Sequence, residues 1–363
     1  MHIVHLTPNF YPAVGGIETY VSELAERQVK KGHEVSILTS DRLRNGEKLR
    51  KFEKIGKLNV HRVPFKLVMR YNFSPEALRL ILDLNYDVLH IHSIGYFTDI
   101  IPVIKNKKNV KVIVSTHGGI FHTTHMDFLK KIYFKSFTKK ALKQADYVIA
   151  TSKKDERLFS KICNRNKIEV ICPGVDWKEL SKLPGTKSTN TVLYVGRFSE
   201  NKRLDKMLHV IAKAKKRIIG VKLLMVGEDW GEKRKLLLLV KKLKLNENVS
   251  FVSGIEDHYK YYSKANLFLL SSAYEGFGTS VVEAMSTGMP VIVNDIKTMH
   301  EIVSDGNDGY IVNFDKYEKV ADLVVKILEN RSLQKKIGAS AKSSAKRFDW
   351  DLLSNKIENI YRK

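Results

Sequence analysis

Two glutamates bracket the segment Glu275-Gly276-Phe277-Gly278-Thr279-Ser280-Val281-Val282-Glu283. In one continuous helix their carboxylates would lie ~12 Å apart along the axis, too far to share a small ligand. Gly276 and Gly278 argue instead for a loop that turns into a helix near Thr279 or Ser280, with Glu275 at the loop entrance and Glu283 inside the helix. Both carboxylates then face one crevice. The helix N-terminus there offers free backbone N–H groups and the positive end of its dipole, which suit an anionic ligand whose hydroxyls the glutamates could hold. A plainer explanation competes, because Ser280 followed three residues later by Glu283 is also a capping box. Capping accounts for Ser280 and one glutamate, and leaves Glu275 and both glycines unexplained.

Other chemistry-bearing residues stand where strands are expected to end. Val192-Leu193-Tyr194-Val195-Gly196-Arg197 ends a strand at Gly196, with Arg197 at its carboxyl tip and Lys202 just before the next helical stretch. A guanidinium fork and a compact ammonium in one loop could neutralise a diphosphate. Val114-Ser115-Thr116-His117 puts His117 at another tip, with His122 and His125 in the same loop. A metal site would want carboxylates or cysteines at matching spacing, so no metal is expected and His117 is read as a hydrogen-bonding residue. The loop after the first strand closes on Gly15-Gly16, where backbone can approach a phosphate. It lacks the glycine spacing of a dinucleotide site, so no hydride cofactor is expected.

The elements that must position these residues alternate. Strand-like runs at 3–6, 34–38, 88–91, 110–115 and 147–151 are separated by amphipathic stretches such as 18–31, and the second half repeats the pattern with strands at 191–195, 222–226, 249–252, 267–270 and 291–294 and helices at 204–216 and 232–243. This predicts an α/β fold of two Rossmann-like, doubly wound domains. Turn formers at Pro173-Gly174-Val175-Asp176 and the polar stretch 182–190 mark the boundary. Ligand sites in such sheets lie beyond the carboxyl ends of the strands, so the domains are expected to face each other across a cleft.

A chain of 363 residues with 43% hydrophobic content has material for two cores. No run of ~18 apolar residues is present, so neither signal peptide nor membrane span is expected. Cys163 and Cys172 lack ligand-like spacing, which fits a reducing cytoplasm. Lys and Arg number 63 against 39 Asp and Glu, a net charge of +24, which favours polyanionic partners. Nucleic-acid binding ranks low, because the charge is spread over both halves and no helix-turn-helix, zinc-finger or RNA-binding signature accompanies it. Residues 128–140 combine aromatics with Lys130, Lys131, Lys135, Lys139 and Lys140, joined by Lys143. That composition suits docking on an anionic membrane surface at ~1 kcal/mol per basic residue; a core-packed helix with a solvated lysine face explains it as well.

Taken together, the Gly15-Gly16 loop, His117, Gly196-Arg197 with Lys202, and the Glu275–Glu283 segment resemble the retaining, nucleotide-sugar-dependent glycosyltransferases of family four (group 1), which have the two-domain GT-B fold. The resemblance runs nearly end to end. It implies an N-terminal acceptor-side domain at 1–173, a donor domain at 174–347, and a last helix at 348–363 that crosses back to the first. It also implies roles. Arg197 and Lys202 hold the donor diphosphate, Glu283 accepts from the ribose, and Glu275 with the backbone of Phe277 and Gly278 holds sugar hydroxyls. Gly196 ends the strand that carries Arg197, Gly16 lets its loop close on the diphosphate, Gly254-Ile255 reads the base through backbone, and His117 contacts the transferred sugar. His117, Glu275, Arg197 and Lys202 are then the catalytic set, acting without a metal or cofactor on a nucleoside-diphosphate sugar and a glycan or lipid-linked acceptor. Cytoplasmic residence, peripheral on the membrane, follows. Two departures stand out: Thr279-Ser280 where the family often has Leu-Pro, and Lys297-Thr298-Met299-His300-Glu301 where it often has a Gly-Gly-x-Pro-Glu turn. A nucleotide-sugar epimerase or phosphorylase of the same fold is the competing activity.

Overall fold

Short runs rich in valine, isoleucine and leucine cannot bury both faces unless helices cover both, and the chain builds two sheets of that kind. The computed structural model describes residues 1–13, 15–43, 45–68, 71–95, 97–117, 133–184, 190–254 and 257–363. It divides into two units, Met1–Pro173 with Trp350–Lys363, and Gly174–Asp349.

The first unit contains β1 (His2–Leu6), β2 (Glu34–Ser40), β3 (Phe52–Ile55), β4 (Leu58–Val63), β5 (Lys66–Val68), β6 (Tyr71–Phe73), β7 (Val88–His92), β8 (Lys111–Ser115), β9 (Tyr147–Ala150) and β10 (Ile168–Val170). Eight of them form one sheet in the order β10-β9-β8-β7-β1-β2-β4-β3, parallel except for β3, while β5 and β6 pair as a separate ribbon. Successive residues point to opposite faces. Val4, Leu6, Leu89, Ile91, Val112 and Val114 therefore join one apolar cluster, and Ile3, Val35, Val88 and Ile113 join the other. That second face is covered by the helices Gly16–Lys30, through Tyr20, Val21 and Leu24, and Trp350–Arg362, through Trp350, Leu353 and Ile357. Each such side chain contributes about 1.5–3 kcal/mol of burial, which docks the last helix on this unit.

The second unit contains β11 (Thr191–Val195), β12 (Lys222–Val226), β13 (Val249–Val252), β14 (Leu267–Leu270), β15 (Val291–Asn294) and β16 (Tyr310–Val312), all parallel in the order β13-β12-β11-β14-β15-β16. The tips of β11 and β12 approach unusually closely. A Cβ on Gly227, whose φ is +150°, would lie 2.0 Å from the Gly196 carbonyl oxygen, so only glycine lets these two loops run side by side. Beyond that point they stay zipped, with Phe198 N–H donating to Glu228 O (2.8 Å) and Trp230 N–H to Phe198 O (3.0 Å).

The five strands expected in the second unit occur at the expected residues. β3, β4, β5, β6, β10 and β16 were not anticipated. The outermost of these are short or polar: β3 reads Phe-Glu-Lys-Ile with alternate residues exposed, and β10 and β16 are three residues each, so no continuous apolar run marks them.

Candidate active site

The helix expected inside the glutamate segment spans Thr279–Ser286, entered through Gly278 at φ +104°. Gly278 is required there twice over, because a Cβ would also sit 2.7 Å from the Met299 Cε atom. No side chain caps this end. The capping box of Ser280 and Glu283 is thus absent: Gly278 occupies the cap position, and Ser280 lies inside the first turn. Glu283 is released for other contacts. Buried to 7% exposure, it accepts from the Tyr262 hydroxyl at Oε2 (2.6 Å) and meets His258 Nε2 at 3.2 Å. Burial opposes the charged His258 ring, but the Glu283 carboxylate, with help from Asp257, outweighs it and holds the His258 pKa above its ordinary value.

Glu275 sits at the loop entrance and accepts two hydrogen bonds at Oε1, from Lys202 Nζ (2.6 Å) and Ser272 Oγ (2.6 Å). Sheet order explains the meeting, since β11, which leads to Lys202, lies beside β14, which leads to Glu275. The Ser271 hydroxyl, at the tip of β14, bonds the Lys202 and Arg203 carbonyls, and Arg203 adopts a left-handed φ of +49°. Lys202 and Glu275, expected to meet neighbouring parts of a ligand, form an ion pair with each other. The turn at 297–301, where the chain departs from the family pattern, packs directly on this loop: Thr298 Oγ1 donates to Glu275 O (3.0 Å).

Arg197 is exposed at its strand tip, its guanidinium 4.2 Å above the Trp230 ring. The zipped loops put Trp230 there, and the stacking restrains the planar cation. Phe277 is buried, its ring edge-on to Phe348, which leaves its backbone as the part that can meet a ligand. Gly254 N–H donates to Glu228 Oε1 (2.7 Å); Ile255 lies outside the described residues. In the first unit Gly15 is extended and a Cβ there would meet only the mobile Glu18 carboxylate, while one on Gly16 would meet nothing within 4 Å. Any need for glycine at 16 therefore comes from a ligand or not at all.

His117 follows β8 at a left-handed φ of +45°, its ring edge-on to Tyr20 at 4.7 Å. Behind it lies a group that the sequence reading missed. His5, His90 and His92 are fully buried on adjacent strands β1 and β7, with His5 and His90 in register. Contacts run from His117 Nε2 to His92 Nδ1 (3.1 Å), His92 Nε2 to His5 Nδ1 (2.8 Å) and His5 Nε2 to Gln28 Oε1 (2.7 Å). They continue from Gln28 Nε2 to Tyr361 Oη (3.1 Å), Tyr361 Oη to His90 Nδ1 (2.6 Å) and His90 Nε2 to Ser115 Oγ (2.8 Å). Burial pushes the pKa of His5 down to about 4 and of His117 to about 3, and carries His90 and His92 well below the ordinary value, so all four rings are neutral. Nitrogens of His5, His90 and His92 lie within 4.8 Å of one another, as metal ligands would. Both nitrogens of each ring already have a hydrogen-bond partner, and a metal would have to break that set.

His122, His125 and residues 128–132 of the basic segment lie outside the described residues. In the described part Phe134 belongs to the core, whereas Phe137 is exposed and stacks with Tyr133 at 5.7 Å, beside exposed Lys139, Lys140 and Lys143. No helix among the described residues is long and apolar enough to cross a membrane.

Residues 14–179 match the Glycosyltransferase Family 4 model and residues 175–344 the Glycosyl transferases group 1 model. A GDP-mannose:cellobiosyl-diphosphopolyprenol alpha-mannosyltransferase of Xanthomonas oryzae is 32% identical over 330 residues, covering 89% of this chain and 86% of its own. The chain is a family-four glycosyltransferase. The protein of the same name from Xanthomonas campestris is 30% identical over 96% of the transferase and 93% of its own length. Among solved structures, sucrose-phosphate synthase of Thermosynechococcus elongatus superposes with a TM-score of 0.78 at 22% identity, covering 99% of the transferase and 98% of that chain. The transferase has the GT-B fold expected from its sequence.

Proposed function

We propose that the transferase moves mannose from GDP-mannose to a saccharide carried on a polyprenyl diphosphate, with retention of anomeric configuration. The names of its relatives in both Xanthomonas species support donor and acceptor alike. The observation that carries the chemistry is the Lys202–Glu275 pair beyond the carboxyl ends of β11 and β14, with Arg197 at the tip of β11 and Glu283 in the helix that follows Glu275. As the glycosidic bond breaks, negative charge grows on the departing diphosphate. Arg197 and Lys202 neutralise it, helped by the uncapped helix end at Gly278, and charges fixed before the reaction cost no reorganisation during it. Glu275 holds the Lys202 ammonium in place, Glu283 takes ribose hydroxyls, and His117 takes a hydroxyl of the transferred sugar. Peripheral attachment to an anionic membrane, through the basic segment around Phe137, Lys139, Lys140 and Lys143, would bring the enzyme to a lipid-linked acceptor.

Incubating the protein with labelled GDP-mannose and a polyprenyl-diphosphate disaccharide should move label into the lipid phase, and EDTA should leave the rate unchanged. Transfer from a uridine sugar alone, or label released only as free mannose, would overturn the donor or the reaction.

A further inference from the structure

We infer that His5, His92 and Gln28 are positioning residues that fix His117 as a hydrogen-bond acceptor, with its Nε2 protonated and its Nδ1 bare. The inference rests on the reading that His117 meets the transferred sugar. Its starting point is Gln28, because an amide has one accepting and one donating end. The Gln28 carbonyl oxygen faces His5 Nε2 at 2.7 Å, so that nitrogen carries the proton. His5 Nδ1 is then a lone pair and must accept from His92 Nε2–H at 2.8 Å. His92 Nδ1 in turn accepts from His117 Nε2–H at 3.1 Å. On its other side the Gln28 amino group donates to Tyr361 Oη, whose proton goes to His90 Nδ1, and His90 Nε2–H donates to Ser115 Oγ. Every donor meets one acceptor, and the direction is the same throughout.

Rings held neutral by burial have only two tautomers to choose between, and each bond in the series removes one of them. The cost of the wrong choice is an unpaired buried polar group. His117 Nδ1 therefore accepts from a hydroxyl and is a poor partner for a phosphate or carbonyl oxygen. Tyr20, edge-on to His117 and also near His92, restrains the ring from turning to reverse this.

The test is the tautomer of His117 in protein labelled with 15N-histidine, read from long-range proton–nitrogen correlations and assigned by loss of the signal in His117→Gln. Wild type should show protonated Nε2 and bare Nδ1. Both His92→Leu and Gln28→Met should give mixed tautomers. His92→Leu should also lower kcat roughly ten- to hundredfold with the donor KM unchanged, the equivalent of one unpaired buried polar group. His92→Asn, whose side-chain oxygen still accepts from His117, should restore the single tautomer and most of kcat. Gln28→Met keeps the question open to an answer if His92→Leu fails to fold. A protonated Nδ1 in wild type, or an unchanged tautomer in both His92→Leu and Gln28→Met, would overturn the inference. Full activity in His117→Ala would instead sink the sugar-contact reading while leaving the tautomer result standing.

Discussion

The two units present their strand tips in opposite electrical idioms. In the second, charges are paired: Lys202 with Glu275, His258 with Glu283, and Arg197 laid on Trp230. In the first, His117 is backed by uncharged rings, an amide and hydroxyls that satisfy one another away from water. Charges act over distance and meet a diphosphate before contact is made. Neutral donors and acceptors act only at contact, where direction decides everything. Under the proposed function, the charges of the second unit suit a diphosphate and the directed acceptor of the first suits a sugar hydroxyl.

That contrast can be broken most sharply by removing a cation. Arg197→Ala and Lys202→Ala should each lower kcat/KM for the donor roughly 10²- to 10³-fold, as loss of a single charge-stabilising donor does elsewhere. Unchanged initial rates would end the diphosphate assignment.

Acid should separate the units next. His5, His90, His92 and His117 have pKa values lowered in the folded state, so between pH 6.5 and about 4 the unfolded chain takes up protons that the folded chain refuses. Their stabilising effect is complete above pH 6.5 and is lost as pH falls, at up to about 1.4 kcal/mol per pH unit for each ring. Hydrogen-exchange protection factors, corrected for the intrinsic pH dependence of exchange, should therefore fall in β1 and β7 on acidification before they fall in β11 and β14. The reverse order would mean that the buried rings are not neutral.

The smallest effect has the opposite sign. The pKa of His258 is raised, so its attraction to Glu283 is fully present below pH 6.5 and is lost as pH rises through the raised value. The ring is 40% exposed, which limits the pair to under about 1 kcal/mol. His258→Ala should erase this slight alkaline loss in a melting-temperature profile; a profile identical to wild type would remove the pair from the account.

The sequence made the second unit more legible than the first. Glycines beside charged residues at strand tips are a strong local signal, and Arg197, Lys202 and Glu275 follow strand tips, with Glu283 in the next helix, on a sheet of which five strands, β11 to β15, were read at their true limits. What was missed there, Trp230 and His258, enters through loop zipping and a neighbouring helical turn that no spacing announces. The buried histidines did leave a trace. His90 and His92 alternate with apolar residues in Val88-Leu89-His90-Ile91-His92, and His5 alternates in the same way in β1. Polar residues at period two within otherwise apolar parallel strands must find one another on a single face, and that pattern identifies the face before any coordinates do. Their link to Tyr361 was beyond reach, because it joins residues 271 positions apart.

That link has a temporal meaning. Tyr361 and the rest of the helix Trp350–Arg362 complete the face of β1 and β7, yet the ribosome makes them after the whole of the second unit. At ~5–20 residues per second, the first-made sheet waits on the order of ten to thirty seconds for its cover. Through that interval Ile3, Val88 and the three histidines lack their final helix. The first unit is thus split in sequence, and its second piece is made only after the whole of the second unit.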